Sequence, residues 1–167
     1  MEAVLNSFFT DVKEGKLKDA ERYVIPGSEY TNLTSRLDSE EYDYILKLVL
    51  SKIKYSIGDV SVDGSTAVAE VHIESVDLFS FYNKYNETLN PIMNVYLSGT
   101  ASEKEKAKEQ LKEFIVKKMP EDINSGKIEM SKGDTKVNLV MKDGQWHINA
   151  DESFLYFLTG KMTMLMK

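Results

Sequence analysis

The sequence predicts an α+β fold: a curved antiparallel sheet wrapped on N-terminal helices in a cone-like arrangement, with a helical insertion between two β-hairpins. Three observations predict it. Apolar residues recur at helical spacing from Leu5 to Val24 and again from Tyr42 to Ile53. Two stretches of alternating residues fold back at Asp63-Gly64 and Asp143-Gly144, dipeptides that favour short hairpin loops. Between the hairpins, from about Leu78 to Met119, the apolar period is helical again. A chain of 167 residues is read as one domain carrying that insertion. At this length a domain buries roughly 70% of its unfolded surface, enough for a core without covalent staples.

Each element has a local reason. In "LNSFFTDVKEG", Leu5, Phe8, Phe9 and Val12 share one helical face, and Gly15 is a stop signal. "LKDAERYV" is a second short helix with Leu17, Ala20 and Val24 inward, ended by Pro26-Gly27. Residues Ser28 to Leu37 are polar and are expected to be irregular. Asp38 or Ser39 caps a third helix with Glu40 and Glu41 in its first turn, where acidic groups favour the helix dipole. Its apolar stripe is Tyr42, Ile45, Leu46, Val49 and Ile53.

In the strand after Asp63-Gly64, Ala67, Ala69, Val71 and Ile73 alternate with Val68, Glu70, His72 and Glu74, the pattern of a sheet with one wet face. Asp77 can cap the helix that follows, in which Leu78, Tyr82, Tyr85 and Leu89 share a face and Pro91 breaks, kinks or restarts the chain. Ser98-Gly99 ends that piece. Ser102 and Glu105 have capping-box spacing for a helix that buries Ala107, Leu111, Phe114, Ile115 and Met119 and stops before Pro120. A second hairpin closes at Asp143-Gly144. The chain ends in the short apolar helix "ESFLYFLTGK" and a methionine-rich tail.

A two-residue loop at Asp143-Gly144 sets a register that pairs Lys142 with Gln145, Met141 with Trp146, Val140 with His147 and Leu139 with Ile148. Trp146 then shares the core face with Val137, Leu139, Met141 and Ile148. His147 points the other way, so the two neighbours are not expected to build one pocket. His72 falls on the polar face of its strand, and within one sheet it and His147 would share that face. No metal-binding motif accompanies them, so this face is read as solvated and without a metal.

Composition narrows the function. There are no cysteines, which excludes disulfides, thiolate metal sites and cysteine nucleophiles. The net charge of −6 and the scarcity of arginine, present only as Arg22 and Arg36, argue against nucleic acid as a partner. No run reaches the roughly 18 apolar residues of a membrane helix. No nucleophile elbow, glycine-rich phosphate loop, zinc-protease motif or calcium loop occurs, and no cofactor is expected. The assignable inward strand positions are apolar, which leaves a catalytic acid or base to come from a helix or loop. The surplus of chemistry is aromatic. Phe79, Tyr82, Tyr85 and Trp146 are the candidate ligand contacts, because apolar sites with a few hydroxyl handles suit small apolar ligands.

The opening "VLNSFFTDVKEGKLKDAERYV", with Gly15, Leu17 and Ala20, and the late "VNLVMKDGQWHIN" together resemble bacterial lipoprotein-type domains with the nuclear-transport-factor-2-like (cystatin-like) α+β cone. The resemblance covers both ends of the chain, and the helices from Leu78 to Met119 depart from its simplest members. It implies a curved sheet on helices with an apolar cavity. It also implies an extracytoplasmic, cell-surface location through a lipid anchor on an upstream cysteine, beyond a leader removed before Met1. The expected function is therefore non-enzymatic binding of a small apolar ligand or a protein partner at the bacterial surface. Two alternatives stand beside it. One is a small isomerase or dehydratase using the cone, as ketosteroid isomerase and scytalone dehydratase do, although none of their catalytic residues can be placed here. The other is a structural homodimerisation module.

Overall fold

The computed structural model describes residues 1–35 and 40–161. The cap expected at Asp38 or Ser39, the Tyr42 side chain and the methionine-rich residues 162–167 lie outside the described residues. The chain divides into two compact units, Met1–Val76 with Met130–Lys167, and Asp77–Glu129. The architecture is α+β, with an open, curved antiparallel sheet.

In the first unit, α1 (Glu2–Lys13) buries Leu5, Phe8, Phe9 and Val12, the predicted face. Gly15 follows at φ +74°, where a side chain would be strained. α2 (Leu17–Ala20) continues into a 3-10 turn, Glu21–Tyr23. The segment expected to be irregular is instead a helix, α3 (Glu29–Ser35). Its residues are polar in character, yet Tyr30, Leu33 and Thr34 sit at i, i+3 and i+4 and all bury. Tertiary packing of that stripe overrides a weak local preference. α4 (Glu40–Ser51) buries Ile45, Leu46, Val49 and Leu50, and Ile53 follows it into the core.

The sheet runs β1 (Lys54–Asp63), β2 (Thr66–Val76), β3 (Met130–Lys142), β4 (Gln145–Asn149), in that spatial order and antiparallel throughout. The second hairpin has the predicted register, from Lys142 opposite Gln145 to Leu139 opposite Ile148. Both loop residues, Asp143 at φ +52° and Gly144 at φ +76°, take the left-handed conformations a primed turn requires. The first hairpin differs by one residue. Asp63 pairs with Thr66, so the loop is Gly64-Ser65 and only Gly64 has positive φ. β1 carries a register shift between Ile57 and Val60, which blunts an exposed edge strand.

Ala67, Ala69, Val71 and Ile73 form the buried face of β2 as expected. Sequence reasoning missed that the same face also holds buried Ser75, Ser131 and Thr135. α8 (Glu152–Leu158), capped by the Asp151 side chain on the Phe154 amide, packs on β2 and β3. It brings Phe157 directly over Gly133. A methyl group built there would lie 2.2 Å from the Phe157 ring. Gly133→Ala is therefore expected to lower stability by about 1–2 kcal/mol as the ring is displaced. Equilibrium urea unfolding checks this, and an unchanged midpoint would contradict it.

The second unit is helical. α5 (Leu78–Lys84) begins at the predicted cap, Asp77, which accepts from the Ser80 amide. The helix breaks at Tyr85 rather than at Pro91, and α6 (Asn86–Ser98) carries Pro91 in its interior. Leu78, Tyr82, Tyr85 and Leu89 therefore do not form one continuous helical face. α7 (Ala101–Asn124) starts two residues earlier than the expected box. Thr100 and Glu103 cap each other reciprocally, and the helix passes through Pro120. Burial of Met119, Asp122 and Ile123 on either side of the proline holds that last turn in place.

Candidate functional site

Between the helices and the sheet the first unit is packed with rings. Phe8 lies edge-on to Phe9 and Tyr30 at centroid distances of 5.6 and 5.0 Å, and Phe154 closes the group 5.7 Å from Phe8. All four are fully buried. The Tyr30 hydroxyl donates to the Leu17 carbonyl, and burial pushes its pKa up, so it stays neutral.

The most chemically distinctive surface of this unit lies at the free edge of β4. The Met141 amide donates to the Ser65 carbonyl, which places Met141's backbone groups on the β2 side. By the alternation of an antiparallel ladder, Lys142–Gln145 and Val140–His147 are the hydrogen-bonded pairs of the second hairpin. Trp146 therefore turns its N–H and C=O away from β3, toward the open edge. Beyond that edge, Val24 bridges to Ile148 in parallel, and the Ile25 amide donates to the Ile148 carbonyl at 2.9 Å. This contact holds the 3-10 turn Glu21–Tyr23 beside β4. Between the two lies a solvent-open recess of about 400 Å³ lined by Val4, Arg22, Tyr23, Gln145, Trp146 and His147. An adjoining recess of about 410 Å³ shares Arg22, Gln145 and His147 and adds Glu21, Pro26, Lys142 and Asp143.

The Arg22 guanidinium is the pivot of this surface. It lies 4.8 Å from the centre of the Tyr23 ring and donates to Asp11 at 2.8 Å. Asp11 is nearly buried, so it fixes the position of a cation that is itself exposed. A flat cation on an aromatic face, next to a half-buried indole, presents apolar area and hydrogen-bond donors together.

This corrects the expectation that Trp146 and His147 cannot share a pocket. They do point to opposite faces, but β4 is an edge strand and the recess wraps around that edge. Trp146 is also half-buried at the margin of the core rather than enclosed in it. His72 and His147 share the open sheet face but stand about six residues apart along the strands, on the order of 20 Å. His72 instead hydrogen-bonds Asp134 through Nδ1 at 2.8 Å. Among the described residues no group of three or more His, Asp or Glu side chains converges in a metal-binding arrangement.

The other three predicted contacts belong to the second unit. Phe79 is exposed. The Tyr82 hydroxyl donates to the Asn90 side-chain oxygen. Tyr85 packs against Phe81 and Phe114, at 5.0 and 5.1 Å, and donates to Asp122. A smaller recess near Gly15, about 250 Å³, is ringed by Lys16, Lys18 and Lys47, and each of these is paired with a carboxylate. Arg22 and Asp11, which organise the β4 recess, were missed from sequence. Their pairing spans two elements, and the only signal was the rarity of arginine.

The arrangement defines an α+β unit whose ordered chemistry lies on an open edge. No protein-family model and no curated protein matches the chain. Among solved structures it is similar to the "putative lipoprotein (ycdA)" from Bacillus subtilis subsp. subtilis str. 168, at 20% sequence identity and a TM-score of 0.43. That similarity covers 95% of this chain and 45% of the other, so the chain spans about half the length of that protein. Among the described residues no helix is long and apolar enough to cross a membrane.

Proposed function

We propose that the α+β unit is a non-enzymatic binding module of a bacterial cell-surface protein, and that it takes a protein partner at the recess beside β4. One observation carries the proposal: Arg22, Tyr23 and Trp146 stand together around a shallow, solvent-open recess. Trp, Tyr and Arg are the residues in which interface energy concentrates. The packed ring layer of Phe8, Phe9, Tyr30 and Phe154 favours a protein over a small apolar ligand, since it fills the space where the resemblance implies a cavity. The extracytoplasmic setting is supported by the sequence resemblance at the two ends of the chain.

The absence of cysteine makes the test clean. A photo-crosslinker is attached at Gln145→Cys, on the recess, and at Lys136→Cys, on the exposed sheet face. Each protein is then offered to the cell-envelope fraction of the producing bacterium. The expected result is one discrete protein adduct at position 145, absent at 136 and lost when Tyr23→Ala is added. Identical adducts at both positions, or none at either, would overturn the proposal.

A further inference from the structure

The α6–α7 hairpin of the second unit ends in a surface that its own packing does not explain. From Thr88 to Ser102 no residue is charged, the longest such run in a chain that is 29% charged overall. The other long uncharged runs, Ala3–Thr10 and Ser153–Gly160, lie in α1 and α8 and supply Leu5, Phe8, Phe9, Phe154, Leu155 and Leu158 to the core. In α6 only Leu89 is buried. Its last turn leaves Val95, Tyr96 and Leu97 exposed by 42%, 40% and 65%. Three consecutive large apolar side chains left in water at one end of a helix mark a surface that binds something.

These three side chains sit at the tip of the hairpin. The Gly99 amide donates to the Val95 carbonyl, and a Cβ at Gly99 would meet that oxygen at 2.6 Å, so the turn there is tight. The first charge after it, Glu103, is folded back on the Thr100 amide and hydroxyl by the capping box. Lys104, Lys106 and Lys108 then alternate with Glu105 and Glu109 over the next turns of α7.

We infer that this tip inserts into the interfacial layer of a lipid bilayer. Three features favour lipid over a second copy of the chain. A standard protein interface engages roughly 20–30 residues a side, and the tip offers the end of one helix. Protein interfaces are enriched in arginine, and neither the tip nor the charged turns behind it, from Thr88 to Glu109, contains one. Behind it the lysine and glutamate side chains match headgroups that carry both signs, and Tyr96 belongs to the residue types that favour the membrane–water boundary. The inference is independent of the recess beside β4.

The test is flotation of the full chain with vesicles of phosphatidylcholine and phosphatidylethanolamine, with and without phosphatidylglycerol. The wild-type protein is expected to float with both. Leu97→Glu, at an exposed position and with an unchanged far-UV spectrum, is expected to float about tenfold less. In a Trp146→Phe background, Leu97→Trp should shift its emission to the blue when vesicles are added. Absence of flotation, or equal flotation of Leu97→Glu, would overturn the inference. So would binding only to phosphatidylglycerol vesicles that salt abolishes. A wild-type dimer in sedimentation that Leu97→Glu converts to monomer, without vesicle binding, would assign the tip to a second copy instead.

Discussion

Replacing Phe8 by alanine is expected to lower the unfolding free energy by about 3–5 kcal/mol. Phe8 is fully buried and touches three other rings, Phe9, Tyr30 and Phe154. These come from α1, α3 and α8, so one side chain ties three helices to one another over the sheet. None of them can collapse into the vacated space without giving up its other contacts. Phe9 is stacked on Tyr55 of β1 at 4.1 Å, and Tyr30 is held by its hydrogen bond to Leu17. The cost therefore includes a retained cavity as well as lost transfer energy. Domains of this size have a stability of about 5–15 kcal/mol, so the variant should remain folded but marginal. Trp146, the only tryptophan, lies in the same unit and reports the transition by fluorescence in urea. A loss below about 1.5 kcal/mol would show that the layer relaxes and is not close-packed. The variant also opens, by design, the apolar space that the sequence resemblance implied. Stabilisation of Phe8→Ala, but not of the wild type, by a small aromatic hydrocarbon is the expected companion result.

What was legible in the sequence divides along the range of the interactions that decide it. The register of the second hairpin was readable because a two-residue loop and period-two burial agree on one answer, with Leu139 and Ile148 inward. The first hairpin slipped by one residue. Its Asp-Gly signal was the same, but Gly64 occupies the first loop position there instead of the second. α3 was unreadable because its burying residues include a tyrosine and a threonine, whose inward placement depends on Leu17 and Glu21 elsewhere in the chain. The β4 recess shows the same limit. The opposite directions of Trp146 and His147 followed from period alone. Their shared recess depends on β4 being an edge and on a turn more than a hundred residues earlier that Asp11 and Ile148 hold in place. Local chemistry could nominate Trp146 but could not supply Arg22 and Tyr23 as its neighbours.

Removing the Asp122 carboxylate, as Asp122→Ala, is expected to destabilise α5 and the end of α7 by about 3 kcal/mol. Asp122 is 1% exposed and is the most deeply buried acidic residue among those described. It accepts from Lys84 and from the Tyr85 hydroxyl, the latter at 2.7 Å, so it joins the C-terminal end of α5 to α7. Burial acts to raise its pKa, but the hydrogen bonds from Lys84 and Tyr85 outweigh that, and the carboxyl sits below its usual range. The sign of the pH dependence follows. A carboxylate with a depressed folded pKa stabilises fully above its unfolded value, near 3.9, and that stability is lost as pH falls through the folded pKa. The wild-type protein should therefore lose stability below about pH 4, and Asp122→Ala should be weaker at neutral pH with a flatter acid limb. Amide exchange across residues 78–124 is the direct readout. At neutral pH the variant should exchange about a hundredfold faster there, with Tyr85→Phe between it and the wild type. Unchanged exchange would mean that the buried charge costs as much in lost hydration as its partners return, as happens for some buried ion pairs.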